Sequence, residues 1–185
     1  DISSQYKFHE NRCAFYAEGS FRWQKITMLL GLRSEWFSKE CSYTVQGEKD
    51  YKDLFFLLSL SISYQPSEDL HFSLSGTNKV SLPSFGELTP IVTYLNQYSY
   101  IIGNPLLKPT IKYDFGFDIT WKNKFNVKFE YNLLRNCRIS CSIPDETNNQ
   151  VLKYTYANLK KFGQFSGMLT YSDYLFNRHT INFST

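Results

Sequence analysis

Few of the chemistry-bearing side chains in this 185-residue sequence stand at the spacings that chemistry needs. Cys137 and Cys141 have three residues between them, near enough to be read as a local disulfide in an oxidising compartment. Cys13 and Cys41 have no such neighbour, and unpaired thiols are the simpler expectation for all four. His9, His71 and His179 are scattered and offer no metal-ligand spacing. Asp114 and Asp118 share one face of their segment with Lys112, yet no Ser/His/Asp order and no Gly-rich phosphate loop accompanies them. The sequence therefore predicts no catalytic, cofactor-binding or metal-binding residue and no enzyme. Ligand contact is better sought in one long connection. There the rings of Tyr94, Tyr98 and Tyr100 are able to stack on a ligand or pack the loop, and Asn104 and Lys108 contact a ligand or shape the loop.

The elements that must position these residues are strands. From Thr110 to Trp121, Ile111, Tyr113, Phe115, Phe117, Ile119 and Trp121 alternate with Thr110, Lys112, Asp114, Gly116, Asp118 and Thr120. A strict period of two puts the first set on one face of a β-strand and the second set on the other. Similar patterns occupy 8–21, 25–37, 55–64, 70–78, 125–138 and 151–173, the last bulged near 158–160, with a final strand from Arg178. Helical periodicity is hard to find. The fold class is all-β, with about eight strands.

The connections alternate in length. Those at 22–24, 65–69, 122–124 and 173–177 are short, those at 38–54 and 79–109 long, and 139–150 intermediate. An antiparallel up-and-down meander has this form when one end carries tight turns and the other long loops, as in outer-membrane barrels. Trp23, Tyr64, Trp121, Phe125 and Tyr174 all flank short turns, where an aromatic girdle belongs. The composition agrees: 18% aromatic but only 42% hydrophobic, with a net charge of +3 too small to argue for nucleic acid. The longest apolar run, 54–58, is far too short for a membrane-crossing helix.

A soluble β-sandwich shows the same alternation with its apolar faces hidden. The barrel is favoured by strand length, loop alternation and aromatic placement. Ser59, Ser61, Ser63, Ser73 and Ser75 are small and suit a wide wet interior, so the strands are expected to form an arc of a larger barrel. The sequence starts at Asp1 without a signal-peptide pattern, and residues 1–185 read as a single barrel segment of a longer protein.

One stretch brings a family into view. Leu74-Ser-Gly-Thr-Asn-Lys-Val-Ser-Leu-Pro-Ser-Phe85 is followed by Leu88-Thr-Pro90, then by Tyr98-Ser-Tyr100, Gly103-Asn-Pro-Leu-Leu-Lys-Pro109 and the alternating strand. This resembles the TonB-dependent receptor barrel, in particular the Bacteroidetes-type outer-membrane β-barrel family. Its "GNPxLKP" segment is matched closely, while the usual Arg before the first Pro is replaced by Lys79 or Ser81. Cys13-Ala-Phe-Tyr16 and Gly31-Leu-Arg33-Ser-Glu35 resemble the family's "A-x-Y" and "GxRxE" strand pair, and Asn158 with Gly163 its "N-x-G-x-x-x-x-G" strand without the first Gly. The resemblance implies a bacterial outer-membrane location, contact with lipid, and nutrient uptake through a barrel of ~22 strands. It also implies a plug domain, the remainder of the barrel, and an energy-coupling periplasmic protein acting through an N-terminal part that this sequence lacks. A structural or adhesive barrel without transport is the alternative within the membrane.

Overall fold

The computed structural model describes residues 6–43, 47–175 and 179–184, and side chains over 9–40 and 52–172. In chain order the elements are β1 (Tyr6–Trp23), β2 (Ile26–Tyr43), β3 (Gly47–Ser67), β4 (Leu70–Ser81), α1 (Phe85–Leu88), β5 (Thr93–Asn96), β6 (Ser99–Ile101), β7 (Thr110–Trp121), β8 (Phe125–Pro144), β9 (Leu152–Leu175) and β10 (His179–Ser184). Strands β1, β2, β3, β4, β7, β8 and β9 pair antiparallel in that order, and β10 pairs with β9 from His179↔Leu175 to Ser184↔Thr170. Among the described residues β1 pairs only with β2, so the sheet is an open arc.

Strict alternation fixes both register and face. Phe115 lies opposite Gly76 and Tyr131, and Asp114 opposite Thr77 and Asn132. One face therefore gathers Phe15, Leu32, Leu58, Leu74, Phe115, Phe129 and Phe165. The other gathers Arg33, Glu35, Ser59, Ser75, Asp114, Asp118, Lys128 and Glu130. Among the described residues no second sheet covers the apolar face. Phe15 is 74% exposed, Phe56 60% and Phe165 68%, while Ile111 and Leu60 are half-buried. Among the described residues no apolar faces meet across a dry core, as a sandwich requires; this apolar surface needs hydrocarbon against it.

The aromatic residues at the tight-turn end form a row on that face. Tyr64 stacks on Phe72 at 6.1 Å, Trp121 on Phe125 at 5.5 Å, and Phe125 meets Tyr171 at 4.7 Å. Tyr174 lies outside the described side chains. The apolar stripe of β3 then rises from Tyr64 through Ile62, Leu60, Leu58 and Phe56 to Leu54. At about 3.3 Å per residue and a tilt near 40°, that stripe is about 25 Å tall, the height of a bilayer's apolar band. The turns beneath it are tight: Lys122 and Asn123 have φ of 53° and 54°, with Lys124 N–H donating to Trp121 O at 3.0 Å, a primed turn that matches strand twist.

At the other end the strands outrun the sequence expectation. The segment 38–54, read as a long loop, is strand to Tyr43 and again from Gly47; 139–150 is strand to Pro144. Pairing continues there beyond the apolar band, where side chains need no longer alternate. The expected bulge at 158–160 is also displaced. β8 and β9 keep one offset throughout, and the break lies on the partner strand at Asn136, φ 51°, whose pairing with Lys160 is missing. Cys137 and Cys141 are free and sit on the same strand, about 13 Å apart at strand rise, too far to bridge. Cys13 is free and exposed.

Candidate functional site

The long connection between β4 and β7 is folded against the polar face of the sheet rather than standing free. Ser84 opens α1 with a reciprocal cap: Glu87 N–H donates to Ser84 Oγ at 3.4 Å, and Ser84 N–H donates to Glu87 Oε2 at 2.7 Å. Leu88 and Leu107 from the connection, 4% and 1% exposed, close on Phe37 of β2, 3% exposed, with Leu82, Pro83 and Pro109 around them. With Pro83 these three are the buried apolar side chains among the described residues, so the small dry core lies on the wet face. Buried Lys39 donates to Pro83 O at 2.9 Å and pairs with Glu10 at 3.2 Å, which satisfies its charge.

The Gly103–Pro109 turn is tied down by backbone and amide bonds. Gly103 N–H donates to Thr89 O at 2.9 Å and Asn104 N–H to Glu87 O at 2.7 Å. Asn104 Nδ2 donates to Tyr156 O at 2.8 Å, and its Oδ1 accepts from Leu106 N–H at 2.9 Å. Asn158 of β9 grips Lys108 through both backbone atoms, and its Nδ2 also donates to Asn136 O at 2.8 Å. Arg138 of β8 reaches Ser81 O at 2.7 Å and Glu87 Oε1 at 3.3 Å. Burial raises the Glu87 carboxyl pKa, but the Ser84 bonds and Arg138 outweigh it and hold the group below its ordinary value.

Two clefts open beside this fold. One of about 480 Å³ is lined by Lys79, Ser81, Glu87, Thr110, Lys112 and Arg138 among others. The next, about 350 Å³, is lined by Tyr16, Arg33, Glu35, Ser59, Thr77 and Lys79 among others. Lys79 belongs to both and lies directly opposite Lys112 in the ladder. Lys112 is paired with Asp114 at 2.8 Å, Arg33 with Glu35 at 2.5 Å and Arg12 with the same carboxylate at 2.6 Å. Lys79 has no carboxylate partner among the described residues. The wall therefore presents a free cation between two cavities of ligand size.

The expected ligand residues divide. Tyr94 and Tyr98 stand on the β5–β6 hairpin, 76% and 59% exposed. Tyr100 tilts against Tyr94 at 6.0 Å and donates its hydroxyl to Asp145 at 2.5 Å, while β6 adds to the edge of β9 from Ser99↔Leu152 to Ile101↔Tyr154. Asn104 spends its amide on the backbone, and Lys108 is held by its own backbone with its side chain exposed. Sequence reasoning passed over Lys79 as a site residue, and it missed Arg138, Ser81 and Glu87. Ser84 and Glu87 carry a readable capping signal. Arg138 carries none, because its partners are 51 and 57 residues away.

Comparison with known proteins places this geometry. Among curated proteins none matches the chain. Among solved structures it superposes on the siderophore receptor PirA from Pseudomonas aeruginosa with TM-score 0.59 and 12% identity, covering 100% of this chain and 44% of that one. On the Serratia marcescens hemophore receptor HasR the TM-score is 0.65 with 12% identity, covering 88% and 32%. On the copper transporter OprC it is 0.69 with 11% identity, covering 96% and 28%. The chain thus spans less than half of each, and the likeness is one of fold. The profile of the outer membrane protein beta-barrel family matches residues 1–185 in full. With its apolar face turned outward and its polar face lining the arc, this chain belongs to the outer membrane protein beta-barrel family and resides in the bacterial outer membrane.

Proposed function

We propose that the chain is part of the barrel wall of a TonB-dependent receptor that takes up a scarce nutrient, and that it plays no catalytic part. One observation carries the reading: a 28-residue connection, 82–109, is folded onto the polar face beside two cation-lined clefts, the larger of which is lined in part by its Glu87. A purely structural barrel gains nothing from such a shelf. In the whole receptor a plug domain fills the bore, further strands complete the wall, and a periplasmic energy-coupling protein drives release. The exposed rings of Tyr94 and Tyr98 make first contact with cargo. Tyr100, Asn104 and Lys108 hold that hairpin and the turn behind it. Lys79 favours cargo carrying negative charge, such as a metal chelate with acidic groups.

The test uses the full-length protein in its own outer membrane. Replacing Tyr94 and Tyr98 together by Ala is expected to lower uptake of the cargo at least tenfold at an unchanged amount of receptor, and loss of the energy-coupling protein to abolish uptake. Undiminished uptake in both experiments would overturn the assignment.

A further inference from the structure

At the upper edge of the apolar band β8 and β9 carry charge that the described strands do nothing to neutralise. Climbing from the aromatic pair Phe125 and Tyr171, β8 presents Val127, Phe129, Tyr131 and Leu133, and β9 presents Leu169, Gly167, Phe165 and Gly163. The next pair is Arg135 and Lys161, directly opposite each other. About ten residues separate the two pairs on each strand, a height of about 25 Å at the usual tilt, so the cations stand where the hydrocarbon band ends. Tight turns lie on the periplasmic side of such barrels, which puts this pair at the outer leaflet.

Like charges facing each other across a ladder destabilise it. Here no carboxylate relieves them. Asp114, Asp118 and Glu130 all project from the other face, and neither Arg135 nor Lys161 makes an ion pair among the described residues. Both side chains are exposed. The Arg135 guanidinium is already placed, 5.5 Å over the ring of Tyr113 on the neighbouring strand. Below them, Phe165 stacks on Phe129 at 6.0 Å, and the Tyr131 ring lies across Gly163, giving a flat apolar ledge.

We propose that Arg135 and Lys161 form a binding site for the phosphate group of an outer-leaflet glycolipid, whose acyl chains lie on the ledge of Phe165, Phe129 and Tyr131. A phosphate between the two cations turns repulsion into two charge-assisted contacts, one a planar fork and one a point charge. The anionic surface of a membrane supplies such groups at this depth.

The experiment purifies the full-length protein from outer membranes in mild detergent and reads retained glycolipid by native mass spectrometry. Nanodiscs containing bisphosphorylated lipid A, or lipid A stripped of phosphate, then serve as probes. Wild type is expected to retain the phosphorylated lipid, and R135Q/K161Q to lose at least tenfold. The charge-preserving R135K/K161R is expected to stay within about threefold of wild type. K122Q, at the opposite boundary, is the control and leaves retention unchanged. Equal retention by R135Q/K161Q, or equal binding of the dephosphorylated lipid, overturns the proposal. If the double variant fails to assemble, K161Q alone is read, with a severalfold loss expected and no loss overturning it. Cargo uptake is not the readout, so failure here leaves the receptor assignment standing.

Discussion

Asn158 holds Lys108 by both of its backbone atoms: Oδ1 accepts from the N–H at 2.8 Å and Nδ2 donates to the carbonyl at 3.1 Å. One amide side chain on β9 thereby fixes the end of a connection 50 residues away in sequence. Replacing Asn158 by Asp keeps the acceptor but removes the donor that serves Lys108 O and Asn136 O, and sets a carboxylate against two carbonyls. The expected cost is about 1–3 kcal/mol, borne by the connection. Amide hydrogen exchange over 103–109 is expected to speed up at least tenfold while the mid-strand amides of β7 and β8 stay protected. Unchanged exchange would show that the amide grip is incidental.

Gly103 is required for a different reason, that of space. A Cβ there would sit 2.4 Å from Thr89 O, 2.7 Å from Thr89 N and 2.8 Å from Glu87 O, all backbone atoms that cannot step aside. Gly103→Ala is therefore expected to release the 82–109 shelf from the wall and open it to limited proteolysis, with the barrel still assembled. Resistance equal to wild type would refute the packing argument.

The two faces of β3 make a paired prediction. Leu60 and Ser61 are adjacent, but Leu60 lies level with Leu30 on the apolar face and Ser61 with Ser75 on the polar one. Leu60→Arg puts a charge near the middle of the hydrocarbon band and is expected to cost about 2–4 kcal/mol. Ser61→Arg is expected to cost less than about 1 kcal/mol. Denaturant titrations in lipid vesicles compare them, and equal costs would contradict the assigned orientation.

The Tyr100–Asp145 bond links the hairpin to pH. The bond to Asp145, helped by burial and by the charges of Asp145 and Glu146, pushes the Tyr100 phenol up to about 12. Bonds from the Thr147 side chain first, then from Tyr100, then from the Thr147 and Asn148 backbones, hold the Asp145 carboxyl well below its usual range. The raised phenol stabilises docking below its ordinary pKa of about 10, and that contribution vanishes as pH passes 12. The lowered carboxylate contributes above its ordinary value near 4, and its contribution fades as pH falls below that. Hairpin docking is expected to be flat between those limits and to loosen outside them. Phenol absorbance should show one tyrosine titrating near 12, lost in Tyr100→Phe; its persistence in that variant would discredit the assignment.

How far the sequence reaches depends on what each residue must satisfy. The strand from Thr110 to Trp121 is legible to the residue, because lipid on one side and water on the other force every second side chain to be apolar. Past the band that constraint lapses, and the upper parts of β2, β3 and β8 left no pattern to read. The hairpin of β5 and β6 was passed over because its strands are four and three residues long and one of them pairs with a strand more than 50 residues away. For Asn104 and Lys108 the sequence offers ligand contact or loop shape, and the structure adds bonds to the backbones of Tyr156 and Leu106 and to Asn158 that no local pattern announces. The Lys79–Lys112 juxtaposition follows only from register, which depends on pairing across the whole connection.

The uncovered apolar face also governs the life of the chain before it reaches its membrane. Among the described residues nothing covers Phe15, Phe56 or Phe165. In water a sheet of this pattern would leave that whole surface exposed. Its shape is tied to the solvent it meets there, and hydrocarbon against that face is a condition of the fold itself.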